Sequence, residues 1–212
     1  MGAVNWTNEN GQGAWTGEDA KDFIWTLTYT GLRISDVALF DMKRVHGNEV
    51  LLRAKKNGGD VFAYIPDWLR DRLTRRARVH GSVLFAVGES RRLETVTNTW
   101  RRRLERVFRL AGPFDEKPTP HRFRHTFARI LLQRGVPVAD VADRLGDDEA
   151  TVRQHYARCV PERRLARMPS KLLRITNYND NPFCSGARRA PKNRRPGAAG
   201  TTFVATIICN PQ

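Results

Sequence analysis

Between residues 16 and 168, apolar side chains recur mainly at spacings of three and four, the period of a helix packed on one face. Thr16-Gly-Glu-Asp19 has the form of a capping box and predicts a helix start, with Phe23, Ile24 and Leu27 on its inner face. Gly31 interrupts this helix, and SDVALF predicts a second, short one with Ser35 as its cap. The pattern then changes. VLLRA (50–54) and VFAYI (61–65) are rich in strand formers, and the Asn57-Gly58 pair between them predicts a hairpin turn. Pro66 predicts the start of a helix running to about His80, with Trp68, Leu69 and Leu73 inward, and SVLFAVG (82–88) reads as a short strand or extended loop. A well-patterned helix follows over roughly 95–111, with Trp100, Leu104, Val107, Phe108 and Ala111 on one stripe and Arg102, Arg106 and Arg109 opposite. Gly112-Pro113 stops it. Further helices are predicted from Thr119-Pro120 to Gly135, from Pro137 to Gly146, over about 148–158, and from Pro161 to about Met168. The expected fold is mainly α with one small antiparallel β-sheet, an α+β domain.

Outside that region the pattern fails. Residues 1–15 are Gly- and Asn-rich and read as a flexible lead-in. Residues 169–212 have no sustained period and carry a basic cluster around Arg188–Arg195, so they read as a disordered basic tail whose abrupt composition suggests a foreign C-terminus. Composition narrows the function. The chain has 212 residues, and 37 Lys and Arg against 22 Asp and Glu leave a net charge of +15. Such a surplus points to a polyanionic partner, because cationic surfaces gain affinity by displacing counterions from phosphates. No apolar run is long enough to span a bilayer, the N-terminus lacks the order of a secretory signal, and three cysteines make neither a disulfide framework nor a CxxC pair. A cytoplasmic, basic domain directed to a polyanion, with no membrane partner, remains.

Four groups could carry chemistry. Arg33, between two helices beside Gly31, can present its fork to an anion or pair with Asp36. Lys55 and Lys56 sit on the hairpin turn, where a Lys either is solvated or swings into a neighbouring site to donate a proton. His121, Arg124 and His125 share a helix face, which suits phosphate; zinc is a weaker alternative, because no nearby acid or cysteine completes a ligand set and Arg124 repels a cation. Tyr156 is either packing or a nucleophile. A phenol, with a pKa near 10, needs cationic neighbours and a polarised electrophile to attack at neutral pH.

Taken in order along residues 16–168, these groups resemble the tyrosine recombinase (phage integrase) family. TGLRISDVALF resembles its first-arginine box, PHRFRHTFA its His-x-x-Arg box, and LGDDEATVRQHYA its third box, which ends in the nucleophilic tyrosine. The resemblance implies a catalytic domain in which Arg33 and Arg124 clamp the scissile phosphate and Lys56, with Lys55 as fallback, protonates the leaving 5′-oxygen. It further implies that His121 assists proton exchange and that Tyr156 forms a 3′-phosphotyrosyl link. It implies double-stranded DNA as partner, a homotetramer on that DNA, and no cofactor or metal. Arg102, Arg106 and Arg109 are the candidate contacts to DNA phosphates.

The chain departs from the family pattern at Asp147, where His or Trp usually follows Leu-Gly. An ionised Asp cannot donate a hydrogen bond to phosphate and repels it, so Asp147 is expected either to orient a neighbouring Arg, Lys or His or to cap the last helix. The N-terminal helical domain that normally closes a clamp around DNA is also missing from the pattern, which reads as a truncated catalytic domain. Two competing readings stay open. PVADVADRLGDDEATVRQHY also resembles a helix-turn-helix, which would make the protein a DNA-binding regulator without cleavage activity. An inactive recombinase relic is the other.

Overall fold

A computed structural model describes residues 5–6, 15–53, 60–86, 92–114 and 117–156. A two-residue ladder joins β1 (Asn5–Trp6) to β2 (Trp15–Thr16). Then follow α1 (Gly17–Thr30), α2 (Ile34–Ala38), a 3-10 turn at Met42–Arg44, β3 (Val45–His46), β4 (Glu49–Arg53), β5 (Asp60–Tyr64), α3 (Asp67–His80), α4 (Leu93–Ala111), α5 (His121–Gln133), α6 (Val138–Leu145) and α7 (Glu149–Tyr156). The α+β expectation holds, and the hairpin strands pair antiparallel one residue earlier than the sequence suggested, with Val50 opposite Ala63 and Leu52 opposite Val61. β3 is an unpredicted third strand on the outer edge of β4; two residues are too short to show a period. The hairpin turn, the sequel helix to Met168, the lead-in up to β1 and the basic tail lie outside the described residues.

α1 is the axis of the larger core. Its Thr16 cap closes the expected capping box with Asp19. Beyond the apolar face, Thr26, Thr28 and Thr30 are also buried, so the helix is enclosed nearly all round. Their hydroxyls are satisfied by donating to the carbonyls of Asp22, Ile24 and Thr26, one turn back. Phe23 stacks on Trp100 of α4, centroids 4.0 Å apart, and meets Phe85 edge-on at 5.0 Å. Trp100 Nε1 donates to the Phe85 carbonyl at 2.7 Å, which seats the indole's polar end inside the core. Of the segment over 82–88, the described part, 82–86, is thus a turn, with Leu84 and Phe85 buried and one bridge from Val83 to Asp41.

One local expectation is corrected: Ser35 lies inside α2, whose cap is Arg33. Several arginines of α3 and α4 are internal to the fold. Arg72 pairs with Glu18 and Asp22 and lies over Trp25, and Arg76 pairs with Asp19 and lies over Phe85. Arg103 lies over both Trp15 and Trp100, and burial lowers its pKa to about 10. Arg72 and Arg76 thereby tie α3 to α1, and Arg103 ties α4 to β2. Arg102, Arg106 and Arg109 do lie on the exposed side of α4, as its stripe predicted.

The second core joins α5, α6 and α7 through Ala128, Leu131, Leu132, Val141, Leu145 and Val152. α5 packs across α1, and α6 lies beside β5, so this smaller core meets the end of α1 and the hairpin strands.

Candidate active site

The site is built on the C-terminal ends of α1 and α6 and one face of α5. Gly31 ends α1 in the left-handed conformation, φ 64°, with its amide donating to Leu27 O at 3.0 Å. A Cβ at this position would overlap the Phe127 ring of α5. Glycine therefore serves both the reversal of the chain and the close approach of α5 to α1. Gly146 ends α6 in the same way, φ 61°, and the Asp147 amide returns to Ala142 O at 3.1 Å.

These two helix ends leave carbonyls pointing into the gap, and Arg124 uses them. It is 1% exposed. Its Nη1 donates to Gly31 O at 3.0 Å and its Nη2 to Leu145 O at 2.7 Å, so a buried guanidinium is held by two backbone oxygens from different helices. Nη2 also meets Asp147 Oδ2 at 2.5 Å. The other oxygen, Oδ1, meets Arg33 Nη2 at 2.5 Å. One carboxylate therefore joins two guanidinium groups from the first and second boxes. Asp147 does not cap α7, which corrects one of its two expected roles. The cap is Asp148, whose carboxylate accepts from the Thr151 amide at 2.6 Å and hydroxyl at 2.9 Å. The other expected role, orienting a neighbouring Arg, is the observed one.

Tyr156 is 4% exposed at the end of α7. Its ring lies 5.1 Å from that of His125, which stands 4.5 Å from His121. Burial raises the phenol's pKa above 10 and the Asp147 charge adds to this, while Arg124, through its charge and a hydrogen bond, and Arg33 pull it down. The phenol is therefore protonated at rest beside two cations. Partial burial, then the charges of Arg124 and Arg33, hold His121 below an ordinary imidazole. Burial, then His121, His155, Arg122 and Arg124, lowers His125 to about 4. His125 is neutral at pH 7. Among the described residues no cluster of three or more His, Cys, Asp or Glu is placed to hold a metal ion. Lys55 and Lys56 lie outside the described residues.

His125 gives a pH prediction. Its folded pKa of about 4 lies below the ordinary 6.5, so the unfolded chain takes up a proton first as pH falls. The stability from its neutral form is complete above pH 6.5, declines between 6.5 and 4, and is gone below that. The full shift is discounted for partial exposure to about 1–2 kcal/mol. In urea melts from pH 7.5 to 4, wild type should lose that much more than His125→Asn; equal slopes would remove the assignment.

Sequence reading singled out Arg33, His121, Arg124 and Tyr156, and the fold brings them into one locality. It missed the importance of Gly31 and of the Leu145 carbonyl, for which the sequence carries only helix-stop signals. His125 was noted as a face neighbour of Arg124 without a role of its own.

Comparisons with known proteins bear on the family and the fold. Residues 16–163 match the model of the phage integrase family. The tyrosine recombinase XerA of Thermococcus kodakarensis is 28% identical over 71% of this chain and 55% of its own length. The tyrosine recombinase XerD of Yersinia pestis is 31% identical over 63% of this chain and 44% of its own. The chain thus spans about half the length of the curated relatives it matches. A crystal structure of a XerA recombinase shares the fold, with TM-score 0.52 and 21% identity over 71% of this chain and 61% of that one. With the boxes in order, their side chains converging, and the match covering most of the residues, the chain belongs to the phage integrase family.

Proposed function

We propose that residues 16–168 form a catalytic domain that breaks and rejoins DNA strands at specific sites through a 3′-phosphotyrosyl intermediate. The observation that carries this reading is the meeting of Arg33 and Arg124 on a single anion, the Asp147 carboxylate, with the Tyr156 phenol within reach of their charges. Two guanidinium groups held in this way match the two non-bridging oxygens of a phosphodiester and the charge that grows on them as phosphorus becomes five-coordinate. The Tyr156 oxygen attacks phosphorus, the bond to the 5′-oxygen breaks, and Lys56 supplies the proton that the departing oxygen needs. The phenolic proton passes to the imidazole side of the pocket, where His121 and His125 stand. Attack by the 5′-hydroxyl of a partner strand reverses the step and conserves the bond, and the resemblance assigns the chemistry to side chains alone. Duplex DNA is the substrate, and a tetramer on DNA would align two duplexes for exchange. Arg102, Arg106 and Arg109, exposed on α4, add phosphate contacts that position the protein without reading bases.

Two features support this reading over a helix-turn-helix regulator. That alternative leaves Arg33 without a role, and it places Asp147, Asp148 and Glu149, whose charges oppose a DNA backbone, directly before the Thr151-Val-Arg153 start of its recognition helix.

A suicide duplex, nicked so that the 5′ product diffuses away, tests the proposal. The wild-type protein should accumulate a covalent protein–DNA adduct stable to denaturation, and Tyr156→Phe should form none while still binding duplex. DNA binding by wild type without any adduct would leave the regulator or the inactive relic in its place.

A further inference from the structure

We propose that Asp147 is an internal ligand of the anion clamp: its carboxylate occupies the seat between Arg33 and Arg124, and a phosphate enters that seat only as the carboxylate leaves it. The inference rests on the reading of these arginines as the phosphate clamp.

The geometry is that of a bound anion. Each oxygen of one carboxylate meets one guanidinium, at 2.5 Å on both sides. Arginine's planar fork recognises carboxylate and phosphate through the same contacts. The inner side of the clamp has no room to turn toward a second anion. Arg124 Nη1 is committed to Gly31 O, and Nη2 is shared between Leu145 O and Asp147. Arg124 is 1% exposed, so its fork is fixed in place. The two anions therefore compete for one set of donors.

Asp147 is also free of other duties. The helix cap falls to Asp148. The Asp147 backbone is held by its amide on Ala142 O behind the left-handed Gly146. Release is thus a rotation of one side chain, with the loop in place. While seated, the carboxylate neutralises cations that would otherwise favour the phenolate of Tyr156, whose pKa it helps to raise. Entry of DNA and activation of the nucleophile are both set against it.

The test uses the full chain and inorganic phosphate as probe, at ionic strength held constant with sodium chloride. Asp147→Asn keeps the shape of the side chain and removes its charge; Asp147→Ser removes the reach as well. Melting temperature is followed against phosphate concentration, because a ligand of the folded state stabilises by mass action. Both variants should melt lower than wild type without phosphate, since two arginines lose their counter-charge. Both should recover more steeply, with apparent phosphate affinity raised about tenfold. Adding Arg124→Ala to Asp147→Asn should remove that gain, which locates the binding. Phosphate affinity unchanged or weakened in both variants would overturn the proposal and make Asp147 a positioning residue that phosphate does not displace.

Adduct formation on the suicide duplex, measured on the same proteins, separates this inference from the reading beneath it. Tighter phosphate binding with no adduct in any protein upholds the internal ligand and removes the recombinase reading. A wild-type adduct with no gain in phosphate affinity does the reverse. Where both readings hold, Asp147→Asn should form its adduct several-fold faster than wild type.

Discussion

Arg124→Ala should reduce covalent adduct formation at least about 10³-fold and lower the melting temperature by roughly 10 °C, while nonspecific duplex binding stays within a few-fold of wild type. The first effect follows from removing a preorganised donor to the transition state, worth about 10²–10³ for one neutral donor and more for a charged fork. The second follows from burial. Arg124 satisfies Gly31 O, Leu145 O and Asp147 together, and truncation leaves two carbonyls and a half-paired carboxylate in a closed space. Breaking a buried pair in this way costs about 3–5 kcal/mol. For a domain of this size, about 2–4 °C of melting temperature is lost per kcal/mol. Arg124→Lys should fail almost as badly, because a point charge cannot serve three acceptors in a plane. Binding is the discriminating measurement. On the proposed reading it is spread over the exposed arginines of α4 and other basic positions, so it should survive. If binding and cleavage fall in parallel, Arg124 is a general DNA contact and its role in the clamp is wrong.

The second large effect is expected at Gly31, far from any reacting atom. Gly31→Ala places a Cβ where φ is 64° and where it overlaps the Phe127 ring. The left-handed backbone alone costs roughly 1 kcal/mol in a residue with a Cβ. Moving an aromatic ring that fastens α5 to α1 adds about 2 kcal/mol more. A loss of about 3 kcal/mol in urea unfolding is therefore expected, against about 1 kcal/mol for Gly47→Ala. Gly47 shares the backbone conformation, φ 62°, but has nothing within 4 Å of the added carbon. Gly31 also presents the carbonyl that holds Arg124, so the adduct rate should fall further than the loss of folded protein explains. Equal losses at the two glycines would mean that the α1–α5 contact yields freely and does not set the clamp.

Both predictions concern contacts that no local pattern reveals, and the same line divides what could be read from the chain. The helices beginning at Thr16, Pro66, Pro120 and Pro137 and the ends at Gly31, Gly112 and Gly146 are local events. A capping hydroxyl, a ring that fixes φ or a missing Cβ acts within a few residues, so its meaning survives in the one-dimensional string. The stripe on α4 was legible for the same reason, because Trp100, Leu104 and Phe108 recur at the helical period. β3 was not, because two residues carry no period and pair only once β4 is beside them. Nor was the use of Arg72, Arg76 and Arg103 as internal cations, because a count of charges does not tell a solvated guanidinium from one laid over a ring.

The candidate site divides in the same way. Residue types and their order were enough to single out Arg33, His121, Arg124 and Tyr156, since a phosphate clamp and an oxygen nucleophile call for those groups. Local pattern was enough for the helices from α1 to α7 and their stops, the basic character and the list of chemically able side chains. The convergence of Arg33 and Arg124, with Asp147 between them and the helix cap left to Asp148, arises only on folding. The reason is that convergence depends on how α1, α5 and α6 cross. Those crossings are set by ring-against-backbone contacts such as Phe127 on Gly31, between residues nearly a hundred positions apart, for which no spacing rule exists.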